Sequence, residues 1–218
     1  MSEDSDGPGS AQPADHYFSA RPASADALRQ MPVRLAGRQV EVATAAGIFS
    51  PDGIDRGTRV LLEEAPPPPA QGTFLDLGCG WGPLALTLAL EAPGATVHAV
   101  DVNERALDLT RRNAAALGCD GIRVDRPDDV PPEVRLDLLW SNPPIRVGKE
   151  ALHEMLLRWL PRLADHADAA AYLVVQKNLG ADSLQTWLSS TLPGAMGPVQ
   201  VTREASSKGF RVLRVTRD

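Results

Sequence analysis

The stretch Asp76-Leu77-Gly78-Cys79-Gly80-Trp81-Gly82 decides the fold predicted for this chain. The apolar run that leads into it is typical of a buried strand, and Pro83 after it suits the first turn of a helix. Glycines at such a junction let the backbone turn sharply and approach a ligand without Cβ clashes. Asp101 follows the next predicted strand, about 20 residues further on, where a carboxylate can accept both hydroxyls of a ribose. This order of elements predicts a nucleoside-containing ligand rather than a purely structural turn.

The second informative stretch is Asn142-Pro143-Pro144-Ile145, which follows an apolar run at residues 136–141. In an open parallel sheet it would lie at the same edge as the glycine loop. An amino group on a base or an amide is a poor nucleophile, because its lone pair is delocalised into the π-system. If the Asn142 side-chain oxygen and the Pro143 backbone oxygen held its N–H bonds, the lone pair would be aimed at an electrophile. The alternative is structural, since Asn-Pro-Pro also commonly starts a loop.

Short apolar runs alternate with helical periodicity from residue 73 onward, which predicts an α/β fold. The predicted strands cover residues 73–77, 96–100, 122–124, 136–141, 170–176, 199–202 and 210–215. The predicted helices cover residues 83–91, 104–117, 149–164 and 181–192. The short link between the last two strands requires an antiparallel hairpin. We therefore expect a Rossmann-like, seven-stranded, mostly parallel sheet with helices on both faces and an antiparallel C-terminal hairpin.

Three segments are expected along the chain. Residues 1–15 are acidic and rich in Ser, Asp, Gly and Pro, which predicts a disordered tail. Residues 16–69 form a small N-terminal module, with a β-hairpin at 33–42 around Gly37-Arg38, a helix at 55–65 and a stiff four-proline spacer at 66–69. Residues 70–218 form the ligand-binding domain.

The chain has 218 residues and a formal net charge of −6, so bulk charge does not make it a binder of polyanions. Residues 203–217 are locally basic, which indicates either a basic face or scattered solvated charge. The cysteines Cys79 and Cys119 indicate no disulfide framework, and the separated histidines indicate no metal site. The N-terminus does not resemble a signal peptide, and no apolar run is long enough to span a bilayer. We expect a cytoplasmic protein with no metal and no membrane contact, and we favour a monomer.

The spacing Asp-x-Gly-x-Gly-x-Gly, followed by Asp101, resembles the class I S-adenosylmethionine-dependent methyltransferases. In that family the first acid and the glycine loop lie along the methionine part of the cofactor, and the acid after the second strand holds its ribose. The resemblance implies S-adenosylmethionine as cofactor and S-adenosylhomocysteine as product. An acid after the third strand commonly meets the adenine amine, and Asp128 or Asp129 is the candidate here. The cofactor-binding residues expected in this chain are Asp76, Gly78, Cys79, Gly80, Gly82, Asp101, Val102, Asp128, Asn142 and Phe49.

The Asn-Pro-Pro stretch resembles the methyltransferases that act on amino nitrogens. The catalytic candidates are Asn142, Pro143, Pro144 and Ile145. Members of that group usually carry Tyr or Phe at the fourth position, so the aromatic platform that stacks on a target base is missing at Ile145. We expect Phe49 or Trp81 to supply the stacking, and packing of the glycine loop is the alternative role for Trp81.

Further segments resemble the ribosomal RNA small-subunit guanine-N2 methyltransferase (RsmC-like) family. These segments are residues 16–19, 47–50, 54–58, 143–149 and 208–213. The resemblance covers essentially everything after residue 15, and it places the loop of Phe49 near the cofactor. It implies N2 of a guanine in RNA as the acceptor, and ribosomal RNA or a ribosomal subunit as the partner. The best-known members carry an additional, degenerate methyltransferase-like domain, for which this chain has no room.

Basic residues after the catalytic stretch are expected to contact RNA phosphates. The candidates are Arg146, Lys149 and Lys208, with Lys177 and Arg211 as further possibilities, and ordinary surface charge is the alternative for each. Two other interpretations stay open. One is methylation of adenine N6 or of a protein glutamine amide by the same turn, and the other is a non-catalytic module that only binds the cofactor.

Overall fold

The computed structural model describes residues 28–218, so the predicted tail at 1–15 and the beginning of the N-terminal module lie outside the described residues. The strands of the described part are β1 (Arg29–Leu35), β2 (Arg38–Thr44), β3 (Thr73–Leu77), β4 (Thr96–Val100), β5 (Ile122–Asp125), β6 (Leu138–Ser141), β7 (Ala170–Gln176), β8 (Val199–Ser207) and β9 (Phe210–Arg217). Its α-helices are α1 (Arg56–Glu64), α2 (Pro83–Glu91), α3 (Glu104–Ala116), α4 (Lys149–Trp159) and α5 (Ala181–Met196).

Within residues 28–218, seven strands form one sheet in the order β5-β4-β3-β6-β7-β9-β8. The pairs among β3 to β7 are parallel, while β9 is antiparallel to both β7 and β8. The predicted sheet and its antiparallel C-terminal hairpin are therefore confirmed. The chain order reverses between β3 and β6, and a reversal of this kind opens a crevice at the carboxyl ends of the strands. The glycine loop follows β3 and the Asn-Pro-Pro stretch follows β6, so both meet at this crevice.

The apolar runs of the sequence form two clusters, one on each face of the sheet. In β3 the side chain of Phe74 joins one cluster, and those of Leu75 and Leu77 join the other. Because successive side chains of a strand point to opposite faces, a strand covered on both faces must be apolar almost throughout. The exception is Asp76, which is the penultimate residue of β3 and is fully buried just before the glycine loop. A buried carboxylate in an otherwise apolar strand indicates a functional position.

The N-terminal hairpin and α1 pack directly against the main domain. Residues of β1, β2 and α1 belong to the same hydrophobic cluster as residues of α2 and α3. The buried side chain of Asn113 in α3 fixes the contact, because its Oδ1 accepts from the Ala43 N–H at 2.6 Å and its Nδ2 donates to Ala43 O at 3.0 Å. The same Nδ2 donates to Trp81 O at 2.9 Å. One asparagine therefore ties the N-terminal hairpin to the glycine loop.

Several elements begin or end at residues other than the predicted ones. The helix predicted at 149–164 stops at Trp159 and continues as a 3-10 turn, Leu160–Arg162, because Pro161 has no N–H to donate to a helical hydrogen bond. The strand predicted at 136–141 begins at Leu138, and Leu136 forms only an isolated bridge to Leu163. The strand predicted at 199–202 extends to Ser207 through an irregularity between Arg203 and Ala205. Among the described residues, no helix combines the length and apolarity that a bilayer span requires.

Candidate active site

A cavity of about 590 Å³ opens at the carboxyl edge of the parallel strands. Three predicted segments line it: the glycine loop, the turn after β4 and the stretch that begins at Asn142. The far wall comes from the ends of β7 and β9 and from one face of α4. The structure thus brings together two motifs that lie more than sixty residues apart in the chain. This volume is within the range of pockets that bind cofactor-sized ligands, roughly 300–1,000 Å³.

The glycine loop presents open backbone to the cavity. Gly78 and Gly80 have φ of +81° and +58°, and a Cβ on either would have no described atom within 4 Å, so a side chain there would fill cavity space. The loop is fixed to the end of β4, because the N–H groups of Gly78 and Cys79 both donate to Val100 O, at 2.8 and 3.0 Å. Gly82 has another role: its φ is +95°, and a Cβ would meet the Thr110 side chain at 3.0 Å. Gly82 therefore allows the start of α2 to pack against α3.

The two predicted acids flank this loop. Asp76 Oδ2 accepts from the Ala85 N–H, in the first turn of α2, at 2.9 Å. Its Oδ1 is buried and has no hydrogen-bond partner among the described residues. Burial raises the pKa of Asp76 from 3.8 to about 7; the Ala85 N–H opposes this rise and the charge of Asp101 adds to it. A buried carboxylate oxygen left without a donor is suited to receive a cationic or N–H group of a ligand.

Asp101 lies at the cavity wall with both oxygens engaged by backbone. Its Oδ2 accepts from the Gly80 N–H at 3.0 Å and its Oδ1 from the Asn103 N–H at 2.9 Å. Burial raises its pKa, and these backbone donors oppose the rise. Each carboxylate oxygen keeps a further lone pair, so the pair can still accept hydroxyl groups from a ligand. Val102 follows it with 45% of its surface exposed, and it lines the cavity as an apolar platform.

Of the other candidates, Cys79 and Trp81 have buried side chains and Asp128 does not line the cavity. The Cys79 side chain is buried beside Thr110, Sγ to Oγ1 3.6 Å, so only the backbone of Cys79 is available to a ligand. The Asp128 side chain is 86% exposed, pairs with Arg158 at 2.7 Å and does not line the cavity. Trp81 is 1% exposed within the core, which excludes stacking on a ligand and leaves it the packing role. Pro127 and Arg158 occupy the part of the wall that was expected for Asp128.

The Asn-Pro-Pro stretch forms a tight turn in the middle of the cavity wall. All four catalytic candidates line the cavity, with Pro143 buried and the others partly exposed. The Ile145 N–H donates to Pro143 O at 2.8 Å, which uses one of the two lone pairs of that carbonyl. Asn142 Nδ2 donates to Asp55 Oδ2 at 2.9 Å and to Thr58 Oγ1 at 3.1 Å. Asn142 Oδ1 therefore remains as the acceptor that this side chain can offer to a ligand.

Three aromatic residues line the cavity: Phe49, Phe210 and Trp159, of which Trp159 is only 1% exposed. Phe49, which was predicted for stacking, is 40% exposed there. Phe210 was not singled out from the sequence, although it opens β9 and pairs with Gln176 at the carboxyl end of β7. The signal was available, since an antiparallel strand that returns beside β7 begins at the edge where the parallel strands end. The Phe210 ring lies close to Asn142, because a Cβ at Gly57 would meet both, at 3.2 and 3.1 Å.

The predicted RNA contacts divide into two groups. Arg146 lines the cavity and is exposed, and Lys149 is exposed at the start of α4 close by. Lys208 instead lies at the tip of the β8–β9 hairpin, where it pairs with Glu63 of α1. Arg211 is buried and pairs with Asp182, so it is not a surface cation. Of the described residues, no cluster of His, Cys, Asp and Glu has the composition to hold a metal ion.

Comparisons with known proteins identify the family and relatives of this chain. The profile of the Methyltransferase small domain family matches residues 39–214. The chain is 32% identical over 175 residues to the uncharacterised protein YbxB of Bacillus subtilis, a match that covers 78% of this chain and 85% of YbxB. It is also 32% identical over 206 residues to the ribosomal RNA small subunit methyltransferase C of Pseudomonas entomophila, covering 93% of this chain and 58% of that protein.

A solved structure with the same fold is the T. thermophilus 16S rRNA N2 G1207 methyltransferase (RsmC), in complex with AdoMet and guanosine. The TM-score is 0.69 at 21% sequence identity, and the match covers 90% of this chain and 52% of that one. This chain therefore spans only a little more than half the length of either of these two methyltransferases. The chain belongs to the Methyltransferase small domain family, and the Rossmann-like methyltransferase fold predicted from its sequence is confirmed.

Proposed function

We propose that this protein transfers the methyl group of S-adenosylmethionine to the exocyclic N2 of a guanine in ribosomal RNA. Family membership supports the reaction class, and the buried, unpartnered oxygen of Asp76 beside the open glycine loop supports the cofactor most directly. The amino group of the methionine part would give that oxygen its missing donor. Asp101 would accept the ribose hydroxyls, and Val102 would pack against the adenine.

The bound cofactor supplies an electrophilic methyl group on a positively charged sulfur. Asn142 Oδ1 and the free lone pair of Pro143 O can each accept one N–H of the acceptor amine, which leaves the nitrogen lone pair directed at the methyl carbon. The new N–C bond forms as the C–S bond breaks, and the sulfur takes the bonding electron pair. The nitrogen then loses one proton to solvent. Neutralisation of the sulfonium drives the transfer, so the residues at the site need to position the amine more than to deprotonate it.

The acceptor assignment rests on the aromatic residues of the cavity and on the relatives. Ile145 offers no aromatic face, whereas Phe210 and Phe49 both line the cavity that Asn142 also lines. A base extruded from its stack would find one or both of these rings there. The Pseudomonas entomophila relative is named as a small-subunit ribosomal RNA methyltransferase, and the T. thermophilus enzyme is named for N2 of G1207 in 16S rRNA. Arg146 and Lys149 stand at the rim where flanking phosphates would pass. A ribosomal substrate also favours the cytoplasmic location that the sequence predicted.

The purified protein is incubated with methyl-labelled S-adenosylmethionine and, in separate reactions, with one of three acceptors. The acceptors are small ribosomal subunits, deproteinised small-subunit RNA and total cell protein. The product is digested, and the labelled nucleoside or amino acid is identified by mass spectrometry. We expect label in N2-methylguanosine. Label in N6-methyladenosine or only in glutamine would contradict the acceptor, and cofactor binding without any transfer would contradict the reaction.

The variant Asn142→Ala should bind the cofactor normally and lose most of its turnover. Asn178→Ala is the matched control, because Asn178 is exposed in the 3-10 turn Lys177–Leu179 and does not line the cavity. If Asn142→Ala kept the turnover of this control, the role given to Asn142 would be wrong.

A further inference from the structure

We infer that Asp55, together with Thr58, is a positioning residue for Asn142, and that the N-terminal module thereby completes the active site. The inference rests on the proposed function in one respect, since it takes Asn142 as the residue that holds the acceptor amine. Asp55 and Thr58 belong to the start of α1, and Asn142 follows β6 more than eighty residues later. The proline spacer predicted at 66–69 lies between the two parts of the chain.

The contact sets the orientation of the Asn142 amide. A carboxylate oxygen can only accept hydrogen bonds, so the Asn142 atom 2.9 Å from Asp55 Oδ2 must be the nitrogen. Thr58 Oγ1 lies 3.1 Å from the same nitrogen and accepts its second hydrogen. Both amide hydrogens are then used, and Oδ1 is left for the acceptor amine. Without these two acceptors, the amide could flip by 180° and present N–H groups to an amine that itself offers only N–H groups.

The same oxygen of Asp55 also begins the helix. Asp55 Oδ2 accepts from the N–H of Gly57 at 2.7 Å and from that of Thr58 at 3.3 Å, as an N-cap residue does. The Asn142 amide is therefore held in a fixed position relative to the first turn of α1. Gly57 leaves no spare room beside it, since a Cβ there would lie 3.0 Å from Asp55 Oδ2 and 3.1 Å from Asn142 Oδ1. A small movement of α1 would move Asn142 Oδ1 by a similar distance.

Capping alone does not need an aspartate at this position. Serine and asparagine are comparable N-cap residues, but the shorter serine side chain does not reach Asn142. Asp55→Ser therefore keeps the cap and removes the support of the amide, while Asp55→Asn keeps an oxygen for both tasks. The control is Glu63→Gln, which alters another acid of α1 that pairs with Lys208 and does not touch Asn142.

The first experiment is kinetic and uses a double-mutant cycle on the full chain. We expect Asp55→Ser to lower kcat roughly 10–100-fold with unchanged KM for S-adenosylmethionine, the effect of misplacing a group that orients the reacting atoms. Asp55→Asn should recover most of this loss, and Glu63→Gln should have no effect. In an Asn142→Ala background, Asp55→Ser should change the residual rate by less than about twofold, because residues that act as one unit are not additive. If the two effects multiplied, Asp55 would act independently of Asn142 and the inference would fall.

The second experiment does not depend on the acceptor. The side-chain amide of Asn142 is assigned by ¹⁵N NMR, with Asn142→Ala identifying its signals. We expect two well-separated NH₂ protons with slow exchange in the wild type, retained in Asp55→Asn, and a collapsed, rapidly exchanging pair in Asp55→Ser. Unchanged signals in Asp55→Ser would refute the inference. If the signals collapse but no ribosomal RNA is methylated, the positioning stands and the proposed substrate fails.

Discussion

Replacement of Asp76 by asparagine tests the electrostatics of the cofactor site. Asp76 is fully buried and its pKa in the folded protein is about 7, against 3.8 for the ordinary carboxyl group. At pH values between 3.8 and about 7, Asp76 keeps its proton in the folded protein and has lost it in the unfolded chain. A pKa raised in the folded state therefore stabilises the protein fully below about pH 3.8, and this contribution is lost as the pH rises through 7. The amide of Asp76→Asn does not titrate, so the variant lacks this loss.

The size of the effect follows from the two pKa values. At about 1.4 kcal/mol per pKa unit, the interval from 3.8 to about 7 corresponds to roughly 4 kcal/mol at high pH. Integration between about pH 5 and about pH 8 gives a loss of roughly 2–3 kcal/mol from Asp76 alone. The amide nitrogen of the variant replaces an oxygen that has no partner, which costs about 1–3 kcal/mol at every pH. This constant cost cancels when the pH dependence of the two proteins is compared.

The assay is urea unfolding without cofactor, followed by tryptophan fluorescence, at several values between about pH 5 and about pH 8. The free energy of unfolding of Asp76→Asn relative to the wild type should rise by roughly 2–3 kcal/mol across this range. Asp129→Asn is the control, since Asp129 is exposed and does not line the cavity. Parallel profiles for the wild type and Asp76→Asn would show that Asp76 is ionised normally in the fold, and the electrostatic account of the site would be wrong.

Three further substitutions test the geometry around the cavity. Gly57→Ala should not raise the melting temperature, because the crowding of the new Cβ offsets the helix preference of alanine. It should lower kcat about 10-fold, because the new Cβ displaces Asn142 or Phe210. An equal kcat in a steady-state assay would contradict this. Phe210→Leu should raise the KM for RNA about 10-fold, from the loss of base stacking, with unchanged cofactor affinity by calorimetry; an unchanged KM would remove Phe210 from the acceptor site. Gly82→Ala should lower the free energy of unfolding by about 1–3 kcal/mol, since alanine is strained at φ of +95° and its Cβ meets Thr110. Chemical denaturation measures this free energy. A stability equal to that of the wild type would mean that the loop relaxes without cost.

The parts of the fold that the sequence predicted well are those fixed by local patterns. Three of the predicted strands and the helix after the glycine loop have the same bounds in the structure, because each is a short apolar run closed by glycine, proline or a polar cap. The helix predicted at 149–164 ended earlier because Pro161 cannot donate a helical hydrogen bond. The residues of the two motifs were likewise visible in sequence, since each follows the carboxyl end of a buried strand.

The sequence did not determine the direction of several side chains near the cavity. Trp81 and Cys79 lie inside the motif, yet both side chains point into the core, since the loop turns its glycines and not its larger residues toward the cavity. Asp128 follows the third strand of the sheet as expected but turns outward to Arg158. A sequence motif states which backbone approaches a ligand, whereas the direction of each side chain depends on what packs behind it.

The sequence by itself determined the parallel sheet, the edge at which ligands gather and the pairing of a glycine loop with an amide that can hold an amino group. These follow from apolar periodicity, glycine conformation and the chemistry of Asn-Pro-Pro, all of which are local. Only the tertiary structure showed that the start of α1 contacts Asn142 and that the Phe210 ring lies close to it. The contact of α1 with Asn142 has no local signal, because the burial of the N-terminal hairpin and α1 in the common core brings the partners together. The place of Phe210 follows from the return of β9 beside β7, which the predicted C-terminal hairpin implied but did not place beside Asn142.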